Sequence, residues 1–457
     1  VDPISERRAA LVIASLGSFV APFMGSSIHV ALPAIGSAFQ ADAVVLSWVA
    51  SSYILAGGVS LVPFGRLADI VGRKKIFTWG YVAFTLASLA CGLCFSAPAL
   101  IVFRVLQGVS SAMVFSTSIA ILTSVFPPSE RGKILGVNVA AVYTGLSLGP
   151  FLGGLLTQHF TWRSVFFVNV PLGAIVVVLV VRRLKGEWAE ARGEGFDVKG
   201  AALYCLSLVA VMYGISALPA LRSLGLLLCG CAGLAVFVKW QSVTDSPLLD
   251  LGLFRSNRVF TFSSLAALIH YSATFAVTFL LSLYLQHIKG LAPQSAGLVL
   301  VTQPLVMAIL SPVAGRISDK IEPGTVASLG MALTTVGLFV FTFIGHRTTL
   351  GFIVGDLVLL GFGFALFSSP NTNAIMSSVE KRFFGLASGS VGTMRMLGMM
   401  MSMGIVTVIF SVSMGRVQIT PEYYPALVKS AKTAFAVFAF LCLGGVFASL
   451  VRGKLRG

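Results

Sequence analysis

Charge is scarce in this sequence. Only 11% of its 457 residues are Asp, Glu, Lys or Arg, against about 25% in a soluble globular domain. Too few polar atoms remain to cover a water-facing surface, which excludes an ordinary soluble enzyme or binding domain. Acid is scarcer still: 16 Asp plus Glu stand against 32 Lys plus Arg, a formal net charge of +16. In a soluble chain that excess points to nucleic acid. Here the cations sit in short segments between long apolar runs, so no nucleic-acid partner is expected. Cysteine is sparse as well. All six lie inside apolar runs, and Cys91-x-x-Cys94 has neither a second Cys pair nor a histidine beside it. That excludes a zinc module or disulfide framework and leaves buried packing as their expected role. Neither G-x-x-x-x-G-K-[ST] nor H-E-x-x-H occurs. Nucleotide-driven pumping and metallohydrolase chemistry are therefore not expected, and neither is a cofactor or a metal.

What is abundant is apolar surface, with 56% of residues hydrophobic. Runs of about 20 apolar residues mark transmembrane helices. Fourteen are counted, near 9–34, 44–65, 76–95, 97–125, 134–158, 164–181, 199–218, 223–243, 259–286, 293–315, 323–345, 348–375, 383–412 and 430–451. The expected fold class is all-α, a polytopic membrane protein. The first run, behind Arg7 and Arg8, is too long for a signal-peptide core. Lys and Arg gather in alternate connections, such as Arg66, Arg73, Lys74 and Lys75, or Arg182, Arg183, Lys185 and Arg192. The opposite connections carry isolated cations, such as Arg163, Arg222 and Arg347. By the positive-inside rule both termini are expected in the cytoplasm, in a plasma or bacterial inner membrane.

The chain also repeats itself. "GRLADIVGRKK" (65–75), after the second run, returns as "GRISDK" (315–320) after the tenth. "FPPSERGKILG" (126–136), after the fourth, returns as "SSVEKRFFGLASG" (377–389) after the twelfth. The common offset predicts a six-helix half over 1–183 and a second over 258–457. A linker over 184–257 would carry two extra helices and a cytoplasmic loop. Internally repeated halves are how many secondary transporters are built, with a midplane substrate site.

Three motifs carry chemistry. In the first, Asp69 lies among Arg66, Arg73, Lys74 and Lys75, where it can pair with a cation or accept from a helix N-terminus. Gly65, Asp69 and Arg73, echoed at Asp319, read as a charge latch that forms in one conformation and breaks in another. In the second, Arg104-x-x-Gln107-Gly108, an arginine inside a span demands a polar cavity or partner. The third is "GLSLGPFLGG" (145–154). Gly145, Gly149, Gly153 and Gly154 let two helix backbones approach, and Pro150 removes a backbone donor. The stretch reads as a close-packed, bent seam on which the halves rock.

These motifs resemble those of major facilitator transporters, and the third resembles the fifth-helix motif of its antiporter branches. "TWRSVFFVNVPLG" (161–173), "FDVKGAAL" (196–203), "SPLLDLGLFRSNRVF" (246–260) and Arg395-x-x-Gly398 are similar to stretches of fourteen-helix drug:proton antiporters. That resemblance implies two six-helix halves with two extra central helices, function as a monomer, and proton-driven export of amphipathic small molecules by alternating access. The first helix departs from it: in "FMGSSIHVALP" (23–33), Met24 and His29 stand where relatives usually carry Asp and Asn.

Proton coupling is therefore assigned to Asp356, the carboxylate well inside a span, with His29 second and His270 weaker. Burial drives a carboxyl toward its protonated form and a nearby arginine drives it back. The substrate cavity is expected to include Ser26, His29, Tyr53, Arg104, Gln107, Asn138, Tyr143, Gln303, Asn371 and Arg395. Two arginines against one carboxylate would suit anionic or zwitterionic amphiphiles. The alternatives are an exporter of a specific metabolite or lipid-like anion, an uncoupled facilitator, and a non-transporting receptor or scaffold.

Overall fold

The structure, a computed structural model, describes residues 3–41, 43–216, 221–244, 247–248, 254, 256–291, 293–413 and 421–453. Among them no strand occurs. The first half of the chain forms α1 (Pro3–Phe39), α2 (Ala43–Val71), α3 (Arg73–Gly92), α4 (Ala97–Val125), α5 (Arg131–His159), the short α6 (Ser164–Phe167) and α7 (Asn169–Arg183). Then come α8 (Val198–Ser216) and α9 (Leu221–Gln241). The remainder forms α10 (Arg258–Thr274), α11 (Ala276–Leu283), α12 (Pro293–Leu300), α13 (Thr302–Lys320), α14 (Pro323–Val340), α15 (Leu350–Ser377), α16 (Phe384–Ser413) and α17 (Tyr424–Val451).

Helix starts follow local chemistry. Ser96 caps α4 by accepting from the Ala99 amide, Asn257 caps α10 through Phe260, and Thr349 caps α15 through Phe352. Each satisfies one of the donors a helix N-terminus leaves unpaired. Pro150, Pro312 and Pro370 lie inside continuous helices, which apolar spans tolerate when neighbours re-satisfy the freed carbonyl.

Twelve helical segments among the described residues are long and apolar enough to cross a membrane. Two helices of the fourteen-run count fall outside that set. The cations Arg73, Lys74 and Lys75 at its start lower the hydropathy of α3, and α8 contributes only the shorter apolar stretch Val198–Gly214. Outward faces are apolar, as lipid demands: Leu228 and Val236 on α9, and Phe440 and Phe447 on α17, are exposed. Cys229 and Cys231 share that outward setting on α9, and Cys205 is half-buried. The expectation of six buried cysteines holds only for Cys91, Cys94 and Cys442, because membrane helices turn apolar residues outward as readily as inward.

The chain divides into two compact units. One comprises Val1–Cys205, Phe237–Leu251 and Val379–Thr393. It is organised around Met24, Ile28, Tyr53, Phe84 and Phe166, and around Phe77, Tyr81, Val176 and Val180. The other comprises Leu206–Val236, Gly252–Ser378 and Met394–Gly457, around Leu280, Met331, Phe341, Phe367, Phe435 and Phe438. Residues 379–393, which end in the first turns of α16, thus pack with the first unit.

Candidate functional site

Asp69, expected among cations, is paired with Arg73. Asp69 Oδ1 accepts from Arg73 Nε at 3.0 Å, Arg73 Nη2 at 2.7 Å and the Gly385 amide at 2.8 Å, and Oδ2 accepts from the Leu386 amide at 3.0 Å. Both side chains are fully buried. Sequence offers Asp69 a cation or a helix N-terminus as partner; the structure supplies both, and the N-terminus is that of α16, whose free amides and dipole favour an anion. Arg73 also donates to Ser124 Oγ at 2.6 Å and to the Lys381 carbonyl. The guanidinium carbons of Arg73 and Arg131 lie 5.3 and 5.1 Å from the Phe384 ring centroid. Glycine allows this contact: a Cβ on Gly65 would overlap the Gly385 carbonyl, and one on Gly385 the Gly65 carbonyl.

A strap, residues 185–197, holds the other side of the same turn. Gly72 has φ +127°, where side chains are strained, and its Cβ position is filled by the Glu187 carboxylate. Trp188 O accepts from the Arg73 amide at 2.9 Å and Glu187 Oε1 from the Lys74 amide at 3.0 Å. The N-cap of α3 is thus supplied from over a hundred residues away. Farther along, the Ala191 amide donates to Asp69 O at 3.1 Å, and Glu194 Oε2 pairs with Arg66 Nη2 at 2.6 Å. Asp197 then accepts from Trp240 Nε1 and Gln241 Nε2. Asp197 falls in the stretch "FDVKGAAL", but Glu187, Trp188 and Glu194 are not picked out by sequence, because a lone glutamate in a charged loop carries no motif.

Arg104 is buried and held within the first unit. Its Nε donates to Val49 O at 3.0 Å and Nη1 to Gln107 Oε1 at 2.7 Å, while Gln107 donates to Ser88 Oγ. The guanidinium carbon lies 4.4 Å from the Tyr53 ring centroid, and Tyr53 OH donates to Ser111 Oγ at 2.8 Å. The second unit repeats the arrangement: Arg395 lies over the Tyr271 ring at 5.0 Å, and Tyr271 OH meets Ser368 Oγ at 3.4 Å.

Other expected cavity residues sit in helix contacts. Ser26 donates to the Pro22 and Phe23 carbonyls of its own helix and, at 3.4 Å, to Gly145 O. Asn138 donates to Ser18 Oγ at 2.8 Å. Both lie where α5 meets α1, as do Gly145, Gly149 and Gly153: a Cβ on Gly149 would overlap Ser26 Oγ, and one on Gly153 would stand 2.7 Å from Ser27 Cβ. The glycine motif therefore brings α5 against α1 inside one unit, and α5 runs through Pro150 unbroken. Gly154, on the same helix, is half-buried, as is Asp319 at the end of α13. Tyr143 is buried on α5 and Gln303 on α13. Met24, at the position of the missing aspartate, is buried, and its Sδ takes a contact from Asn169 Nδ2 at 3.1 Å. The His29 side chain lies outside the described residues.

In the second unit Asn371 donates to Ser263 O and accepts from Arg452 Nη1 at 3.0 Å. Arg452 also bonds Ser263 Oγ, Gly324 O and Ser449. Burial pushes its guanidinium down to about 10, still protonated at neutral pH. Nothing in the sequence separates Arg452 from an ordinary tail cation. Asp356 is buried on α15 against Gly337 of α14, and neither carboxylate oxygen has a hydrogen-bond partner. His270 is fully buried between Phe364 and Phe367, its ring nitrogens likewise without partners. No group of His, Cys, Asp and Glu among the described residues could hold a metal ion.

Comparison with known proteins agrees with this architecture. The riboflavin transporter RibZ of Clostridioides difficile is 28% identical over 97% of each chain. The multidrug resistance protein Stp of Mycobacterium tuberculosis is 31% identical over 85% of this chain and 73% of its own. The human organic anion transporter MFSD10 superposes with a TM-score of 0.70 at 13% identity, covering 97% of this chain and 99% of its own, a likeness of fold alone. The family model described as Major Facilitator Superfamily matches residues 14–403. The chain is a polytopic membrane protein that belongs to the major facilitator superfamily.

Proposed function

We propose that this protein is a proton-coupled antiporter of the fourteen-helix branch. It would export amphipathic small molecules by alternating access as a monomer in a bacterial inner membrane, with both termini cytoplasmic. The observation that carries the reading is the closed latch. A fully buried carboxylate joining Arg73 to the amides of Gly385 and Leu386 is costly to break and suits a contact that opens and closes in a transport cycle, which a static scaffold does not need. The names of Stp and RibZ support small-molecule transport, and their difference leaves the substrate's chemistry to experiment. Asp356 is the favoured proton carrier, because a buried carboxyl without partners changes charge when its surroundings change.

The Arg104–Tyr53 and Arg395–Tyr271 pairs favour a second reading within transport, export of a specific metabolite or lipid-like anion. The test is proton movement in liposomes under an imposed pH gradient, with lipophilic cations and then amphipathic anions, for wild type and Asp356→Asn. Substrate-dependent proton flux that vanishes in the variant is the expected result. Flux that survives moves coupling to His29 or elsewhere. Substrate movement without proton flux makes the protein a facilitator, and silence with both ligand classes returns the receptor or scaffold reading.

A further inference from the structure

Within the second unit, the backbones of α14 and α15 meet on glycine. A Cβ on Gly330 would stand 2.5 Å from the Phe367 amide nitrogen and 2.6 Å from the Gly363 carbonyl oxygen. One on Gly363 would stand 2.8 Å from the Thr334 amide nitrogen. Small residues let helix backbones close in this way. Two turns farther along α14, a Cβ on Gly337 would stand 2.6 Å from Leu360 Cδ2 and 3.1 Å from Asp356 Oδ1. The Asp356 carboxylate thus points into the seam, at the place Gly337 leaves without a side chain. It is 5% exposed, and neither oxygen has a hydrogen-bond partner. The Thr334 hydroxyl in the same seam is turned to Gly330 O of its own helix.

No neighbouring charge offsets that burial. α14 carries no ionisable residue. α13 meets α15 through Gln303 and keeps Arg316, Asp319 and Lys320 at its other end. His270 of α10 is held between Phe364 and Phe367, and Cys442 of α17 donates to Met331 O. Lys429 and Lys432 of α17, and His346 and Arg347 before α15, make no bond to Asp356. An ionised carboxylate buried without partner or water is costly. The closed seam therefore suits the neutral carboxyl, and ionisation requires room beside Gly337.

We propose that the α14–α15 seam is the protonation switch of the transport cycle, closed over protonated Asp356 and opened when that proton leaves, with Gly337 as its positioning residue. The inference rests on the reading of Asp356 as proton carrier and adds where its charge is felt. Gly363, seven residues from Asp356, lies nearly two full turns on and shares its face of α15. Ser368, which meets Tyr271, lies twelve residues on, about 120° round and about 18 Å along the helix. A substrate held at Arg395 and Tyr271 touches α15 away from the proton, so the two are coupled through movement of the helix rather than by competition for one position.

The experiment is peptide-resolved hydrogen exchange on the full chain in nanodiscs, read over residues 334–340 and 353–363 in acid and in alkaline medium. Wild type and Asp356→Asn are compared at each pH, so the intrinsic pH dependence of exchange cancels. In acid the two exchange alike. In alkaline medium wild type exchanges about tenfold faster, the size of a typical coupling between sites. Gly337→Ala wedges the seam whatever the charge, exchanges fast in both media and loses most of that difference. Adding Leu360→Ala removes the nearest clash and restores it, which a general loss of packing does not do; unchanged exchange over α10 shows the variants folded. Equal exchange of wild type and Asp356→Asn in alkaline medium overturns the switch. So does a Gly337→Ala protein that keeps the full difference, or a double variant that fails to recover it. Proton flux lost in Asp356→Asn with equal exchange overturns the seam and keeps the carrier. Exchange that follows the charge while flux survives overturns the carrier reading and the switch with it.

Discussion

Gly149 and Gly153 meet different kinds of neighbour, and their substitutions should separate accordingly. A methyl group at Gly149 overlaps a side chain, Ser26 Oγ, with the Phe23 carbonyl next at 3.0 Å. At Gly153 it meets the Cα and carbonyl of Ser27, both at 2.9 Å. Overpacking of this kind costs about 1–3 kcal/mol, so Gly149→Ala and Gly153→Ala should each lower the thermal midpoint in detergent. Adding Ser26→Gly should recover most of the loss at Gly149, whereas Ser27→Gly should recover little at Gly153 because backbone stays in the way. Equal recovery would mean that α1 shifts freely and that the glycines are not needed for close approach. Asp69 gives a second prediction. Breaking a buried ion pair costs about 3–5 kcal/mol when one charge is left behind. Asp69→Asn leaves Arg73 charged and buried and weakens acceptance from Gly385 and Leu386. Faster amide exchange over 381–393, with little change in α4, is the expected outcome. Unchanged exchange would mean that Phe384 and Arg131 hold α16 without the carboxylate.

At the scale of elements, the strap ties the α2–α3 turn to α8 and α9. Glu187→Ala removes an acceptor from the first turn of α3, a loss of about 1 kcal/mol by analogy with other N-caps. The Lys74 amide should then exchange faster, while the distant α15 cap at Thr349 is unaffected. An unchanged Lys74 amide would show that Trp188 O alone holds the turn. The strap also marks the limit of what sequence makes legible. Asp69, Arg73 and the glycines of α5 are readable because their chemistry is local: a carboxylate among cations, or small residues one helical turn apart. Their partners are not, since Gly385 lies more than three hundred residues from Asp69 and only the fold brings them together. Asn371 shows the same limit from the other side. A polar residue in an apolar run suggests a cavity, but the structure spends it on Arg452, whose position past the last helix reads as plain positive-inside charge. Periodicity reports which residues face inward, and it does not report whom they face.

For the whole molecule, the question is whether α8 and α9 both cross the membrane. Of the two, α9 meets the length and apolarity of a span, and α8 carries a shorter apolar stretch. Yet α8 has 19 residues, which at 1.5 Å each rise about 28 Å, close to the ~30 Å hydrocarbon core. The repeat supplies an independent constraint. "GRLADIVGRKK" and "GRISDK" share a basic character, and the proposed topology has both on one side of the membrane, as the positive-inside rule expects. That requires an even number of crossings between them. If α9 crossed and α8 did not, the second copy and the cations between α9 and the start of α10, Arg255 and Arg258, would be carried to the outer face against the charge bias. Single cysteines at 190, 219 and 244, in a background lacking the native thiols, separate the two cases by labelling with a membrane-impermeant maleimide. Two crossings predict that 190 and 244 label only after permeabilisation and 219 labels from outside. Labelling of 244 from outside would mean a single crossing, and the internal repeat would then no longer account for the distribution of charge along the chain.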